Sequence, residues 1–145
     1  MVDALPVRRA RREDAQAIFE LSSEMATSYL VEWETFRLSL AALLDTPGAH
    51  LLVTPAAGLI SGYLLGFTHP TFFANGSVGW VEEIAVRRAS RRQGIGASLM
   101  TAFEDAARSE GCRISALATR RAANFYLALG YTANAEYFSK RLVKS

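Results

Sequence analysis

The stretch Val86-Arg87-Arg88-Ala89-Ser90-Arg91-Arg92-Gln93-Gly94-Ile95-Gly96-Ala97-Ser98 is the most informative part of this 145-residue chain. An apolar strand ends at Ile84-Ala85-Val86, an arginine-rich loop follows, and two glycines stand at the mouth of a long helix. The first turn of a helix has N–H groups without intrahelical acceptors and the positive end of the helix dipole, so an anion such as a pyrophosphate is favoured there. Glycine removes the Cβ that would hold the backbone away from that anion. Arg91 and Arg92 can add charge-assisted hydrogen bonds, and Ser98 a hydroxyl. Two other glycine-rich phosphate sites are excluded: the Gly-Lys-Ser/Thr of a nucleotide-hydrolase loop is missing, and so is the third glycine of a dinucleotide-binding turn. A solvated turn merely shaped by its glycines is the alternative that the stretch alone leaves open.

Working outward, residues 94–110 carry Ile95, Leu99, Ala102 and Ala106 at helical spacing, with Gly111 beyond the end. Upstream, 77–86 reads as a strand interrupted by the paired acids Glu82 and Glu83, and 50–54 and 59–69 read as a hairpin. Two amphipathic helices precede it, 14–29 with Ile18, Leu21 and Met25 on one stripe, and 33–44 with Phe36, Leu40 and Leu43 or Leu44, stopped by Pro47-Gly48. Residues 5–10 tolerate a strand. Downstream come a strand at 112–119, a helix at 120–129 and a final strand or hairpin in YTANAEYFSKRLV. The order β-α-α-β-β-β-α-β-α-β predicts one α/β (α+β) domain over residues 1–145, with no internal repeat or linker.

Composition agrees. Half of the residues are hydrophobic and 21% are charged, which excludes a disordered chain. The net charge is only +2, yet 14 of the 16 basic residues are arginine, and they cluster at Arg8, Arg9, Arg11, Arg12 and at Arg87, Arg88, Arg91, Arg92. A small overall charge with such clustering points to a local anion site more than to a nucleic-acid surface. The single cysteine, Cys112, reads as a small buried residue, excludes an intramolecular disulfide, and with the isolated His50 and His69 forms no metal-ligand pattern. Pro6 and four arginines precede any apolar run, and no window approaches the ~18 apolar residues of a membrane span, so a cytoplasmic protein without membrane contact is expected.

Arg91-x-x-Gly94-x-Gly96, between a strand and an amphipathic helix, resembles the acetyl-CoA signature of the GCN5-related N-acetyltransferase (GNAT) superfamily. Further along, Ala122-Ala123-Asn124-Phe125-Tyr126-Leu127-Ala128-Leu129-Gly130-Tyr131 is similar to that family's Ala-x-x-Phe-Tyr-x-x-x-Gly-Phe/Tyr segment. The two occur in the family's order, and the element order along nearly the whole chain agrees with it. The resemblance implies a mixed, mostly antiparallel central sheet flanked by helices. It also implies acetyl-CoA as co-substrate without a metal, pantetheine pairing with the backbone of Ile84, Ala85 and Val86, and pyrophosphate held by the amides from Arg92 through Gln93, Gly94, Ile95 and Gly96 to Ala97. In the family a bulge splays two strands to admit the cofactor, and consecutive Glu82 and Glu83 are compatible with one. Asn124 and Tyr126 belong to the same implied cofactor set. The asparagine that family members often carry five residues before the tyrosine is Arg121 here.

Acetyl transfer to an amine needs a group to take the amine's proton and a group to protonate the departing thiolate. Glu82 and Glu83 are the candidates for the first, Glu82 preferred because acids at that place often face the acceptor in the resembling family; chain neighbours in a regular strand point to opposite faces, so one of the two is expected in the site. Tyr126 is the candidate acid, a phenol of pKa ~10 facing a thiolate of comparable basicity. An N–H near Ile84 or Ala85 can polarise the thioester carbonyl. Tyr29, Glu32, Trp33, Glu34 and, in the loop before the catalytic strand, Phe72, Phe73 and Asn75 are the acceptor-side candidates, acids and aromatics suited to a cationic amine. A small-molecule amine and a protein amine both fit. The competing readings are a non-catalytic acyl-CoA-binding module and, more weakly, a nucleic-acid binder built on the arginines, for which no recognition signature is present. The C-terminal strand, with Tyr137, Phe138 and Leu142, is expected to close its own sheet or to pair with a second copy as a homodimer.

Overall fold

The computed structural model describes residues 5–144. Its elements are β1 (Arg8–Arg9), α1 (Ala15–Met25), α2 (Trp33–Leu44), β2 (Ala49–Ala56), β3 (Leu59–Thr71), β4 (Gly76–Val86), α3 (Ile95–Ser109), β5 (Cys112–Leu117) and α4 (Ala123–Ala128), with 3-10 turns at Arg12–Asp14 and Arg88–Ser90. The strands form one sheet in the order β1-β2-β3-β4-β5, antiparallel except for the parallel β4–β5 pair. A parallel neighbour needs a crossover, and α3 supplies it.

Two cores lie on opposite faces. On one, α1 and α2 cover β2 and β3 through Ile18, Leu21, Leu40, Leu51, Tyr63 and Leu65. On the other, α3 buries Ile95, Leu99, Met100 and Phe103 against Leu64 and Val81. The Phe103 ring sits in the hollow that Gly66 and Gly79 leave in β3 and β4, where an added Cβ would stand 2.4 Å and 3.1 Å from ring atoms.

The Arg8–Arg12 cluster has a structural explanation. Arg8 donates two hydrogen bonds to Asp14, at 2.8 and 2.9 Å, and the Arg11 amide donates a third at 2.8 Å. Asp14 is only 7% exposed. The Arg8 bonds, ahead of the Arg11 amide, hold its carboxyl below the usual carboxylate range against the opposing effect of burial. Arg9 reaches the Leu44 carbonyl at the end of α2.

Three expectations are modified. The first helix stops at Met25 rather than 29, because Thr27 and Ser28 compete for backbone hydrogen bonds and Ala26 is already extended. Cys112 is half-buried at the start of β5, and burial, then Glu110, push its thiol pKa up. The C-terminal segment forms no strand: from 131 to 144 it lacks regular structure, and Tyr137, Phe138, Leu142 and Val143 are exposed. A strand exists only with a ladder partner, and among the described residues this segment has none. Tyr131 is held by hydrogen bonds to Ser115 and Glu104, both 2.7 Å, and by Arg141 the chain has reached the Tyr29 ring, 4.9 Å from its centroid. Among the described residues no helix is long and apolar enough to cross a membrane.

Candidate active site

The site is organised by a defect in the β3–β4 ladder. Leu65 pairs with Glu83 but its neighbour Gly66 pairs with Val81, so Glu82 is an extra residue without a partner on β3. Such a bulge reverses the in-out alternation beyond it. Val81, Ile84 and Val86 pack on the α3 side, whereas Ala85 packs on the α1–α2 side and Glu83 lines the cleft there. Glu82 is exposed, its carboxylate accepting a 2.7 Å hydrogen bond from the Trp80 indole. Glu83 accepts a 2.8 Å hydrogen bond from the buried Tyr63 hydroxyl. Burial, reinforced by Glu83, pushes the Tyr63 pKa far up, so this phenol stays a donor and fixes the carboxylate's orientation. The sequence preference for Glu82 thus meets a structure in which Glu83 is the acid that enters the cleft.

The cleft has a volume of about 580 Å³. Glu83 and Tyr63 form its floor, Ile18 and Leu40 its walls, and Tyr29 and Glu32 its rim. The other acceptor-side candidates lie elsewhere. Trp33 packs on Phe19 and Phe36, with centroids 5.2 and 5.8 Å away, and props α1 against α2. Glu34 pairs with Arg37 at 3.0 Å. Phe72 and Phe73 are exposed at the β3–β4 turn, and Asn75 in the same turn has φ +56°. Tyr63 was not singled out from the sequence, and Ile18 and Leu40 were read there only as apolar stripes of their helices; the available signal was a tyrosine within the apolar run Leu59–Phe67, since a buried phenol requires a polar partner.

Beside the bulge the sheet opens. The parallel β4–β5 ladder ends at Val81–Leu117, so the edge of residues 82–86 turned away from β3 has no strand partner among the described residues. Its backbone groups are free to pair with an extended ligand. At the end of this opening stands the N-terminus of α3. Among the described residues no side chain caps it, and Ser98 is the first helical residue whose N–H bonds back, to the Gly94 carbonyl at 3.0 Å. The amides of Ile95, Gly96 and Ala97 are therefore open donors. Gly94 has φ +81°, a left-handed conformation that carries no steric cost only for glycine. Gly96 has a different reason: a Cβ there would stand 3.1 Å from the Phe125 ring, so the two sequence motifs touch at this residue.

The remaining candidates divide clearly. Arg91, Arg92 and Gln93 are exposed in the loop before α3, and Arg92 has φ +67°. Arg87 is committed to β3, donating to the Ile60 carbonyl from Nε and Nη2 at 3.2 and 3.0 Å. The Ile95 side chain belongs to the core, leaving only its amide for a ligand. Ser98 Oγ accepts from the Leu5 amide at 3.2 Å and faces the N-terminal segment. Asn124 is exposed on the first turn of α4. Tyr126 is buried on the α3 side, 4.9 Å from Phe125 and 5.9 Å from Tyr131 by ring centroids, and burial raises its pKa above the ordinary phenol value. Among the described residues its hydroxyl has no hydrogen-bond partner. Tyr126 does not line the cleft; it belongs to the α3-side core, against which Ile84, Val86 and Leu117 pack.

Uncapped amides, a glycine-shaped helix entry, an unpaired strand edge and a cleft with a carboxylate on its floor fit an extended ligand with a phosphate end and a reacting end. Comparison with known proteins agrees. The sequence model of the Acetyltransferase (GNAT) family matches residues 12–131. No curated protein matches the chain in sequence. Among solved structures, an acetyltransferase from Trypanosoma brucei is 23% identical with a TM-score of 0.81, covering 94% of this chain and 99% of that one. Glucosamine-6-phosphate N-acetyltransferase from Arabidopsis thaliana is 19% identical with a TM-score of 0.84 over 95% and 98% of the two chains. An aminoglycoside antibiotic 6′-N-acetyltransferase from Acinetobacter haemolyticus is 20% identical with a TM-score of 0.77 over 96% and 100%. At these identities the likeness to the solved structures is one of fold.

Proposed function

Because the chain belongs to the Acetyltransferase (GNAT) family, whose members use acetyl-CoA as co-substrate, we propose that it transfers the acetyl group directly to a primary amine, with Glu83 as base and Tyr126 as acid. The observation that carries this reading is the bulge at Glu82, which turns Glu83 into a cleft beside the unpaired edge of β4. The backbone of Ile84, Ala85 and Val86 holds the pantetheine arm. The amides of Ile95, Gly96 and Ala97, continuing those of Arg92, Gln93 and Gly94, hold the pyrophosphate, and the Arg91 and Arg92 guanidinium groups screen its charge. Acetyl-CoA supplies a thioester whose C–S bond breaks as the acceptor's N–C bond forms.

The protein's own part is proton handling. Glu83, oriented by Tyr63, takes the proton that the amine loses, directly or through one water. Tyr126 keeps its proton at neutral pH because burial raises its pKa, and it passes that proton to the departing sulfur. No covalent enzyme intermediate is needed. Glu82, held by Trp80 outside the cleft, has no part in the transfer.

The test is a panel of primary amines with acetyl-CoA, following release of free thiol. Amine-dependent release is expected. Tight acetyl-CoA binding without release for any amine would favour a non-catalytic binding module instead.

A further inference from the structure

The cleft between α1 and α2 has a chemistry of its own, beyond the reaction at its floor. Its walls are apolar, formed by residues such as Ile18, Leu40, Leu43 and Phe36. The polar groups deep within it are already engaged: Ser22 Oγ donates to the Phe19 carbonyl at 3.0 Å, and the Tyr63 hydroxyl donates to Glu83. Two carboxylates, Glu83 on the floor and Glu32 on the rim, are its charged groups, and no Lys, Arg or His lines it among the described residues.

We propose that the acceptor is a primary amine carried on an apolar body, an alkyl chain or an aromatic ring; this rests on the acetyltransferase reading above. The ammonium end is drawn toward Glu83, with Glu32 adding attraction at the entrance. The hydrocarbon body lies between α1 and α2, where each methylene leaves water for an apolar wall. A polyhydroxylated amine, such as an amino sugar, would bury hydroxyls against Ile18, Leu40 and Leu43, away from the exposed Thr35 and Ser39 hydroxyls, and an unpaired buried polar group is costly. A phosphorylated or carboxylated acceptor would place its anion among two carboxylates with no Lys, Arg or His in the lining among the described residues, Arg141 standing outside it over the Tyr29 ring at the rim. The volume of about 580 Å³ is within the range of small-molecule pockets and leaves room for more than the amine itself.

The experiment compares kcat/KM, by thiol release from acetyl-CoA, for n-alkylamines from ethylamine to hexylamine, for phenethylamine, for glucosamine and for glucosamine-6-phosphate. The expected result is a rise of about fourfold per methylene, the equivalent of ~0.8 kcal/mol per buried CH₂, with phenethylamine exceeding both sugars by roughly a hundredfold or more. Ser39, exposed on α2 and lining the cleft, provides a variant on a tolerant position. Ser39→Phe is expected to fill the space, flatten the chain-length dependence and lower kcat/KM for hexylamine about tenfold or more. Its thermal midpoint and acetyl-CoA affinity, measured alongside, report on folding. Rates independent of chain length, or a preference for a sugar, would overturn the apolar acceptor while leaving acetyl transfer intact. A chain-length dependence unaffected by a folded Ser39→Phe would place the apolar body elsewhere and also overturn it. No thiol release with any amine of the panel, acetyl-CoA still binding, would overturn the acetyltransferase reading itself.

Discussion

The two faces of the sheet are covered differently, and the difference explains where chemistry can occur. On one face the 15-residue helix α3, with Tyr126 of the short α4 beside it, lies flush because the glycines beneath Phe103 let the ring sink into the sheet. That face is packed, and Leu64, Leu99 and Phe103 are completely buried. On the other, two shorter helices, of 11 and 12 residues, are joined by the connection 26–32 and held by the Phe19–Trp33–Phe36 cluster. They cover the sheet incompletely and leave the cleft. One face provides rigidity and the helix entry; the other provides space. The bulge at Glu82 joins them by changing which face the chain addresses.

The sharpest way to break this comparison is to exchange the two acids' fates. Glu83→Gln is expected to lower kcat by about 10²- to 10⁴-fold with acetyl-CoA affinity retained, and Glu82→Gln by less than about threefold. Equal losses in steady-state kinetics would remove the distinction between the faces. Next in size is packing. Phe103→Ala is expected to cost about 3–5 kcal/mol of stability, whereas Leu43→Ala, on the half-buried wall of the cleft, should cost about 1 kcal/mol. Denaturant unfolding of both variants checks this.

Tyr126→Phe tests whether the packed face reaches the reaction. A loss of roughly a hundredfold in kcat is expected, with little change in stability because the hydroxyl has no hydrogen-bond partner among the described residues. Burial raises the Tyr126 pKa, so the acid form persists through the neutral range, and the wild-type kcat profile should not begin to fall on account of this group below about pH 10. Gly96→Ala presses a Cβ on Phe125 and is expected to cost about 2 kcal/mol and to weaken acetyl-CoA binding, as calorimetry would show. The smallest effect lies outside both faces. Asp14 has a carboxyl pKa depressed chiefly by Arg8, so its contribution is present above the ordinary carboxylate range and is lost as pH falls below about 4. Asp14→Asn should cost about 1 kcal/mol at neutral pH and show a shallower loss of urea stability below pH 4.

Much of the fold was legible because its signals are local. Helical spacing located α2 at Trp33–Leu44 and α3 to within one residue at each end, and turn residues separated β2 from β3. The glycine-shaped entry to α3 was legible for the same reason: Gly94 and Gly96 are set by conformation and by contact with Phe125, both within motifs visible in the chain. Other features depend on partners distant in sequence. Nothing near Ser98 announces that its hydroxyl meets Leu5, and nothing near Tyr137 announces that β5 will not pair with it.

The two glutamates show this limit most clearly. Counting alternation forward from the buried Val81 places Glu82 toward α1 and α2; counting back from Ile84 and Val86 places Glu83 there. Both counts are correct for a regular strand, and they disagree because β4 is not one. The residues alone established that an acid stands at this position, next to a strand edge and a glycine-shaped helix. Which acid enters the cleft follows from where the ladder slips between Leu65 and Gly66, and a slip in register belongs to the pairing of two strands, not to the sequence of either.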